Sequence, residues 1–175
     1  MPTVEDLKKQ ILFDGLSDEE VAKLLPNIQK VTVVKNNYVF KEGDSTTGIY
    51  MIHSGRIEVK RKLQLDTKSK MLVMLRNIQS DEIKHTADGW ETRFALLGKG
   101  QHFGELSILE GKKKHGAEAV ALEDTELFIL NTENFMELET TATETMVKIM
   151  KAIARVMSTN VRALDKRILK ALTGQ

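Results

Sequence analysis

Three periodicities follow one another along the chain. Val4, Leu7, Ile11 and Leu12 recur at helical spacing and predict a short amphipathic helix. After the turn Phe13-Asp14-Gly15-Leu16, Ser17 and Glu20 form a capping box for a second short helix, with Val21, Leu24 and Leu25 as its buried face. Pro26 stops it, because the residue before a proline is pushed out of the helical region. From Ile28 the period changes to two: Val31, Val33, Tyr38, Phe40, Ile49, Met51, Ile57 and Val59 alternate with polar residues. Turns fall at Lys35-Asn36-Asn37, Glu42-Gly43-Asp44 and Ser54-Gly55. Short strands with close, regular turns predict a barrel or sandwich.

Leu63 to Trp90 interrupts this rhythm. Met71, Val73 and Leu75 alternate and predict an extension of the sheet, Asp88-Gly89 is a two-residue hairpin signal, and stretches such as Ser80-Asp81-Glu82 and Lys84-His85-Thr86 are polar. Two readings stand: a lengthened, partly mobile hairpin, or a flap that docks a partner, with Trp90 the residue to watch. Thr92 to Leu97 returns to strand, and Glu118–Ala121 and Glu126–Leu130 read as closing strands. Thr132 is placed to cap a short helix carrying Phe135 and Leu138.

Thr141 and Glu144 make a further capping box. From there to Leu172 there is neither Pro nor Gly, and Met146, Met150, Ile153, Met157, Leu164 and Ile168 repeat at three- and four-residue steps. This predicts one helix of roughly 45 Å at about 1.5 Å per residue. Its stripe is either buried against a second copy, with Asn160 in or beside the seam, or folded back over its own barrel.

A length of 175 residues suits one domain, and a formal charge of +1 with interleaved acids and bases gives no nucleic-acid footprint. Without cysteine there is no disulfide scaffold, thiolate chemistry or Cys-based metal cluster. No apolar run approaches a membrane span and the start lacks a signal-peptide core, so a cytoplasmic protein without membrane contact is expected. His53, His85, His102 and His115 are scattered without metal-binding spacing, and no serine sits in a G-x-S-x-G frame, so neither metal nor enzymatic activity is expected.

The informative stretch is Gly100 to Ala121, G-Q-H-F-G-E-L-S-I-L-E-G-K-K-K-H-G-A-E-A-V-A. Gly100, Gly104, Gly111 and Gly116 let the backbone bend where a side chain would clash. Amides freed at such turns attract an anion. Lys112, Lys113, Lys114 and His115 stand at the far lip. Glu105 repels phosphate and suits sugar hydroxyls instead; it also suits anchoring of the turn by accepting backbone N–H groups.

F-G-E-L at 103–106 resembles the opening of the phosphate-binding cassette of the cyclic-nucleotide-binding domain, the family of the bacterial catabolite activator and the regulatory subunit of cAMP-dependent kinase. The segments K-E-G-D, I-Y-M-I-H-S-G and R-I-E-V also resemble that family's barrel, and A-L-E-D-T-E-L-F-I-L its end. The resemblance implies a double-stranded β-helix, a jelly-roll-like β-roll, with flanking helices and a long C-terminal helix. It implies helices at 1–27, the roll at 28–140 with the insertion 63–90, and the long helix at 141–175. The implied ligand site is Phe103, Gly104, Glu105, Leu106, Ser107, His115, Gly116 and Ala117, with Glu105 on a ribose hydroxyl. His115 stands where the family has Arg, and Gly116 where Ser, Thr or Ala is usual. Neutral imidazole offers one donor and no charge, against the permanent fork of Arg. Lys114, on a strand, points to the other face.

The expectation is a stand-alone, non-enzymatic regulatory or sensor domain, without room for the DNA-binding helices that follow in catabolite activators. It needs no cofactor, binds an anionic ligand with cAMP or cGMP first, dimerises through its last helix and signals to an unnamed protein partner. The alternative is a degenerate domain that binds no cyclic nucleotide and serves protein association.

Overall fold

The computed structural model describes residues 2–64, 66–76, 83–86 and 89–173. Thr3 and Asp6 cap each other reciprocally at the start of α1 (Val4–Lys8). The helix does not run on to Leu12 as the spacing predicts. The Ile11 amide is taken at 2.8 Å by the carbonyl of Gly100, so the helical ladder stops and Ile11–Phe13 forms a separate 3-10 turn. Leu7, Leu12 and Phe13 are buried, whereas Ile11 is exposed. The predicted Ser17–Glu20 box does cap α2 (Asp18–Leu24), and Pro26 lies in the 3-10 turn Leu25–Asn27 that ends it.

The strands are β1 (Ile28–Val33), β2 (Tyr38–Phe40), β3 (Gly48–Ser54), β4 (Ile57–Leu63), β5 (Ile83–Thr86), β6 (Gly89–Leu97), β7 (His102–Phe103), β8 (Glu118–Ala121) and β9 (Thr125–Asn131). They form two antiparallel sheets, ordered β1-β9-β3-β7 and β2-β8-β4-β6-β5. The expected β-roll with flanking helices is therefore present.

Because side chains alternate across a strand, β3 and β9 feed two cores at once. Ile49, Met51, Phe128 and Leu130 face the helices, where they meet Leu7, Phe13, Val21 and Leu24. Tyr50, Ile52 and Leu127 face the inside of the roll, where they meet Phe40, Ile57, Val59 and Phe103. Gly55 closes the β3–β4 turn at φ +91°, with Thr125 so close that a Cβ would overlap it.

The insertion departs from expectation. Thr67–Arg76 is a helix, α3, and not an extension of the sheet. Asp66 explains why: its carboxylate accepts the Ser69 amide at 2.7 Å and its carbonyl accepts the Lys70 amide at 2.9 Å. Such a side-chain cap nucleates a helix and overrides a weak alternation. The hairpin signal is realised, since β5 pairs with β6 in a register that sets Thr86 opposite Gly89. Lys84-His85-Thr86 is thus strand within a lengthened hairpin. Asp88 and Ser80-Asp81-Glu82 lie outside the described residues. Trp90 packs edge-on against His85 within this hairpin.

Two helices close the chain. Asn131, one residue earlier than predicted, caps α5 (Thr132–Thr141) by accepting the Asn134 amide at 2.8 Å, and Phe135 and Leu138 are buried as expected. The predicted Thr141–Glu144 box is not formed. The Thr141 hydroxyl turns back to the Glu137 carbonyl within α5, and α6 (Thr143–Thr173) starts two residues later. The first half of its stripe, Met146, Ile149 and Ile153, joins the helical core, and Lys148 pairs with Glu20 of α2 at 2.8 Å. Met157, Val161 and Leu164, further along, are exposed. The chain's own helices thus cover half the stripe; the side chain of Ile168 lies outside the described residues.

Candidate functional site

Gly104 is the pivot of the site. Its φ of +89° favours glycine, and a Cβ there would come 2.8 Å from the Gly48 carbonyl and 3.1 Å from the Tyr50 ring. It leads into α4 (Glu105–Leu109). The chain then turns at Gly111, φ +62°, and returns along 112–117 to β8. Gly116 has neither a positive φ nor any neighbour that a Cβ would meet, so the backbone does not require glycine there. The return segment is strapped to the β2–β3 connection. The amides of Gly43 and Thr46 donate to the carbonyls of His115 and Lys113, and the His115 amide donates to Asp44, all at 2.9 Å.

These elements surround a cavity of about 450 Å³, and all eight predicted residues line it: Phe103, Gly104, Glu105, Leu106, Ser107, His115, Gly116 and Ala117. Its apolar wall is Phe40, Val59, Phe94, Ala95 and Leu97, and α6 closes one side with Ala152, Arg155, Val156, Thr159 and Asn160. Asn160, expected in or beside the seam, therefore lines the cavity.

Three polar side chains in the wall, Glu105, His115 and His102, are short of partners among the described residues. Oε2 of Glu105 is buried without a hydrogen bond among the described residues. Burial raises its pKa, against the opposing hydrogen bond from its own amide. The His115 side chain is 3% exposed and lies flat on Phe40, with ring centroids 3.7 Å apart and planes 7° apart. Its Nδ1 faces the Ser107 hydroxyl at 3.4 Å, and its Nε2 has no partner. Burial lowers the pKa of His115, although Asp44 works the other way. The ring is therefore neutral near pH 7. In the tautomer in which Ser107 donates to Nδ1, the ring proton resides on Nε2 as an unused donor. His102 lines the same cavity with both nitrogens unpartnered, and burial drives its pKa to about 4. Lys112, Lys113 and Lys114 are exposed, and only Lys112 lines the cavity, where Glu110 pairs with it.

This hollow offers groups suited to recognition. A buried carboxylate oxygen seeks a hydroxyl or amine donor, the imidazole N–H seeks an acceptor, and the apolar wall suits a flat ring. Among the lining residues that sequence reading missed, Phe94 and Arg61 are the most informative. Phe94 is the extra residue of a β-bulge: Val59 pairs with Ala95 and Lys60 with Arg93, so Phe94 has no partner opposite and is turned to the cavity mouth. Arg61 lies on β4; the signal for it was a charge in phase with Ile57 and Val59.

The family model for the cyclic nucleotide-binding domain matches residues 79–141. The cyclic AMP receptor protein of Thermus thermophilus is 32% identical over 132 residues, 75% of this chain and 50% of that protein. The crystal structure of the Thermus thermophilus catabolite activator protein superposes with a TM-score of 0.65 at 27% identity, covering 91% of this chain and 62% of that one. A cyclic nucleotide-binding domain from Methylobacillus flagellatus KT gives 0.70 at 20% identity, covering 95% and 80%. The chain matches the cyclic nucleotide-binding domain family over residues 79–141 and carries the fold of its solved relatives. It spans half the length of the curated receptor it matches.

Proposed function

We propose that the chain is a regulatory sensor domain whose cavity takes an anionic ligand, a cyclic mononucleotide first, and reports occupancy through α6. The observation that carries this reading is that Glu105 and His115, each with an unpartnered polar atom among the described residues, line one hollow that α6 also walls. Glu105 accepts from the ribose hydroxyl, His115 Nε2 donates to the cyclic phosphate, and the wall of Val59, Phe94, Ala95 and Leu97 receives the base. Binding of this kind orders the cassette and changes the contacts of Arg155, Thr159 and Asn160, which biases α6 between arrangements. In this reading the helices at 1–27, the roll at 28–140 and the helix at 141–175 act as scaffold, receptor and lever.

The same reading makes the domain non-catalytic and cytoplasmic, without nucleic-acid or membrane contact of its own. It also makes it a homodimer through the exposed Met157, Val161 and Leu164 of α6. Among the described residues no helix is long and apolar enough to cross a membrane. That exposed half-stripe also favours the second reading, an association domain that binds no cyclic nucleotide.

Titration calorimetry with cAMP and cGMP at pH 6 and pH 8 separates the two. Saturable heat with either nucleotide supports the sensor. No heat at millimolar ligand at either pH supports the association domain.

A further inference from the structure

Strand β4 reads Ile57-Glu58-Val59-Lys60-Arg61. Its outward charges are matched. Lys60 Nζ lies 3.0 Å from both Glu91 and Glu118, and Glu58 accepts from Arg93 Nε at 2.6 Å. Burial alone would lower the pKa of Lys60; the two carboxylates outweigh it and hold the ammonium firmly charged. Its inward positions, Ile57 and Val59, are buried in the roll. Arg61 is next in that inward phase and lines the cavity.

Three permanent cations line this cavity: Arg61, Lys112 and Arg155. Lys112 is paired with Glu110, and Arg155 lies 3.9 Å from Asp14. Among the described residues no carboxylate pairs with Arg61. Its Nε donates to the carbonyl of Gly116 at 3.2 Å, the residue after His115. That bond ties the guanidinium to the cassette and leaves its two terminal nitrogens to bind an anion as a fork.

We propose that Arg61, reaching across from β4, supplies the permanent positive charge of the ligand site in place of the neutral residue at position 115. This inference rests on the cyclic-mononucleotide reading of the cavity. Arg61 pairs with the ligand's phosphate from the strand side while His115 Nε2 donates from the cassette side. The cassette then needs no cation of its own, and a buried guanidinium at position 115, against Phe40, is avoided.

The test is calorimetric titration of the full chain with cAMP and cGMP, for the native protein and for Arg61→Met, at low and high salt. Arg61→Gln serves if the Met variant does not fold, as judged by its melting curve. Loss of one charge-assisted contact is expected to weaken binding about 10- to 100-fold. It also flattens the salt dependence, since a fixed charge pair is what salt screens. Affinity within about twofold of native, or a loss that leaves the salt dependence unchanged, overturns the role of Arg61 alone. A native protein that binds neither nucleotide at millimolar concentration overturns this inference and the sensor reading together.

Discussion

The imidazole of His115 lies flat on the ring of Phe40, centroids 3.7 Å apart, while its Nε2 remains without a partner. The stack explains why this cassette position is not simply a weakened arginine. It is a neutral, packed residue whose single donor is held in place by the aromatic face on one side and Ser107 on the other.

His115→Arg should therefore act in opposite directions on the two states. A guanidinium packed against Phe40 loses its hydration when the cavity holds no anion; Asp44 offsets part of this, and a poorly compensated buried charge destabilises by several kcal/mol at most and about 1 kcal/mol at least. The melting temperature without ligand is expected to fall, and the upward shift on adding cAMP to exceed that of the native protein. Differential scanning fluorimetry with and without nucleotide checks both; an unchanged apo melting point would contradict the packing argument.

Gly104→Ala tests the pivot. The left-handed backbone and the 2.8 Å approach to the Gly48 carbonyl both oppose a methyl group. A cost of about 1–3 kcal/mol is expected in urea unfolding. The matching change at Gly116, where nothing crowds a Cβ and φ is not positive, should cost no more than about 0.5 kcal/mol. Equal losses at the two positions would show that the crowding at Gly104 is not what matters.

Stability should fall with acid through His102. Burial holds its folded pKa at about 4, below the ordinary value of 6.5, so the unfolded chain binds this proton first. The contribution is intact above pH 6.5 and is lost as pH falls towards 4, reaching roughly 3 kcal/mol. His115, also lowered, adds in the same direction. Glu105, raised by burial, opposes them, because the folded state keeps its proton more tightly. Urea midpoints at pH 7 and pH 4.5 should differ less for His102→Leu than for the native protein. An identical acid loss in both would exclude His102 as its source.

The two halves of α6 should respond differently to substitution. Ile149 and Ile153 are buried with the N-terminal helices, and truncation of either to Ala is expected to cost about 2–5 kcal/mol. Val161→Ser and Leu164→Ser, on the exposed half, should leave unfolding of an isolated chain within about 0.5 kcal/mol. Sedimentation of the native protein and of this double variant then reads the self-association proposed for the stripe. A native protein that is monomeric at high concentration rules it out.

Much of the roll was legible in the chain because its signals are local. Turn glycines, period-two alternation and the Ser17–Glu20 box are each written within a few residues, and each appears in the fold. The failures came where another hydrogen bond, local or long-range, competes with the local signal. Asp66 makes a helix out of an alternating stretch, and the Gly100 carbonyl takes the amide that would have continued α1 through Ile11. The Thr141 hydroxyl bonds backwards into α5, so the box expected there never forms.

The cassette was likewise legible, because Phe103 to Ser107 and His115 to Ala117 carry their spacing within one stretch of chain. Sequence alone determined that these residues turn together, since a short loop between fixed glycines leaves few other geometries. Only the tertiary structure decided what faces them: Phe40 under His115, Phe94 released by a bulge, α6 as a wall and Arg61 tied to Gly116. Those contacts join strands remote in the chain. Their register depends on which face of each strand the two cores bury, a choice made by packing of the whole roll and by no single segment.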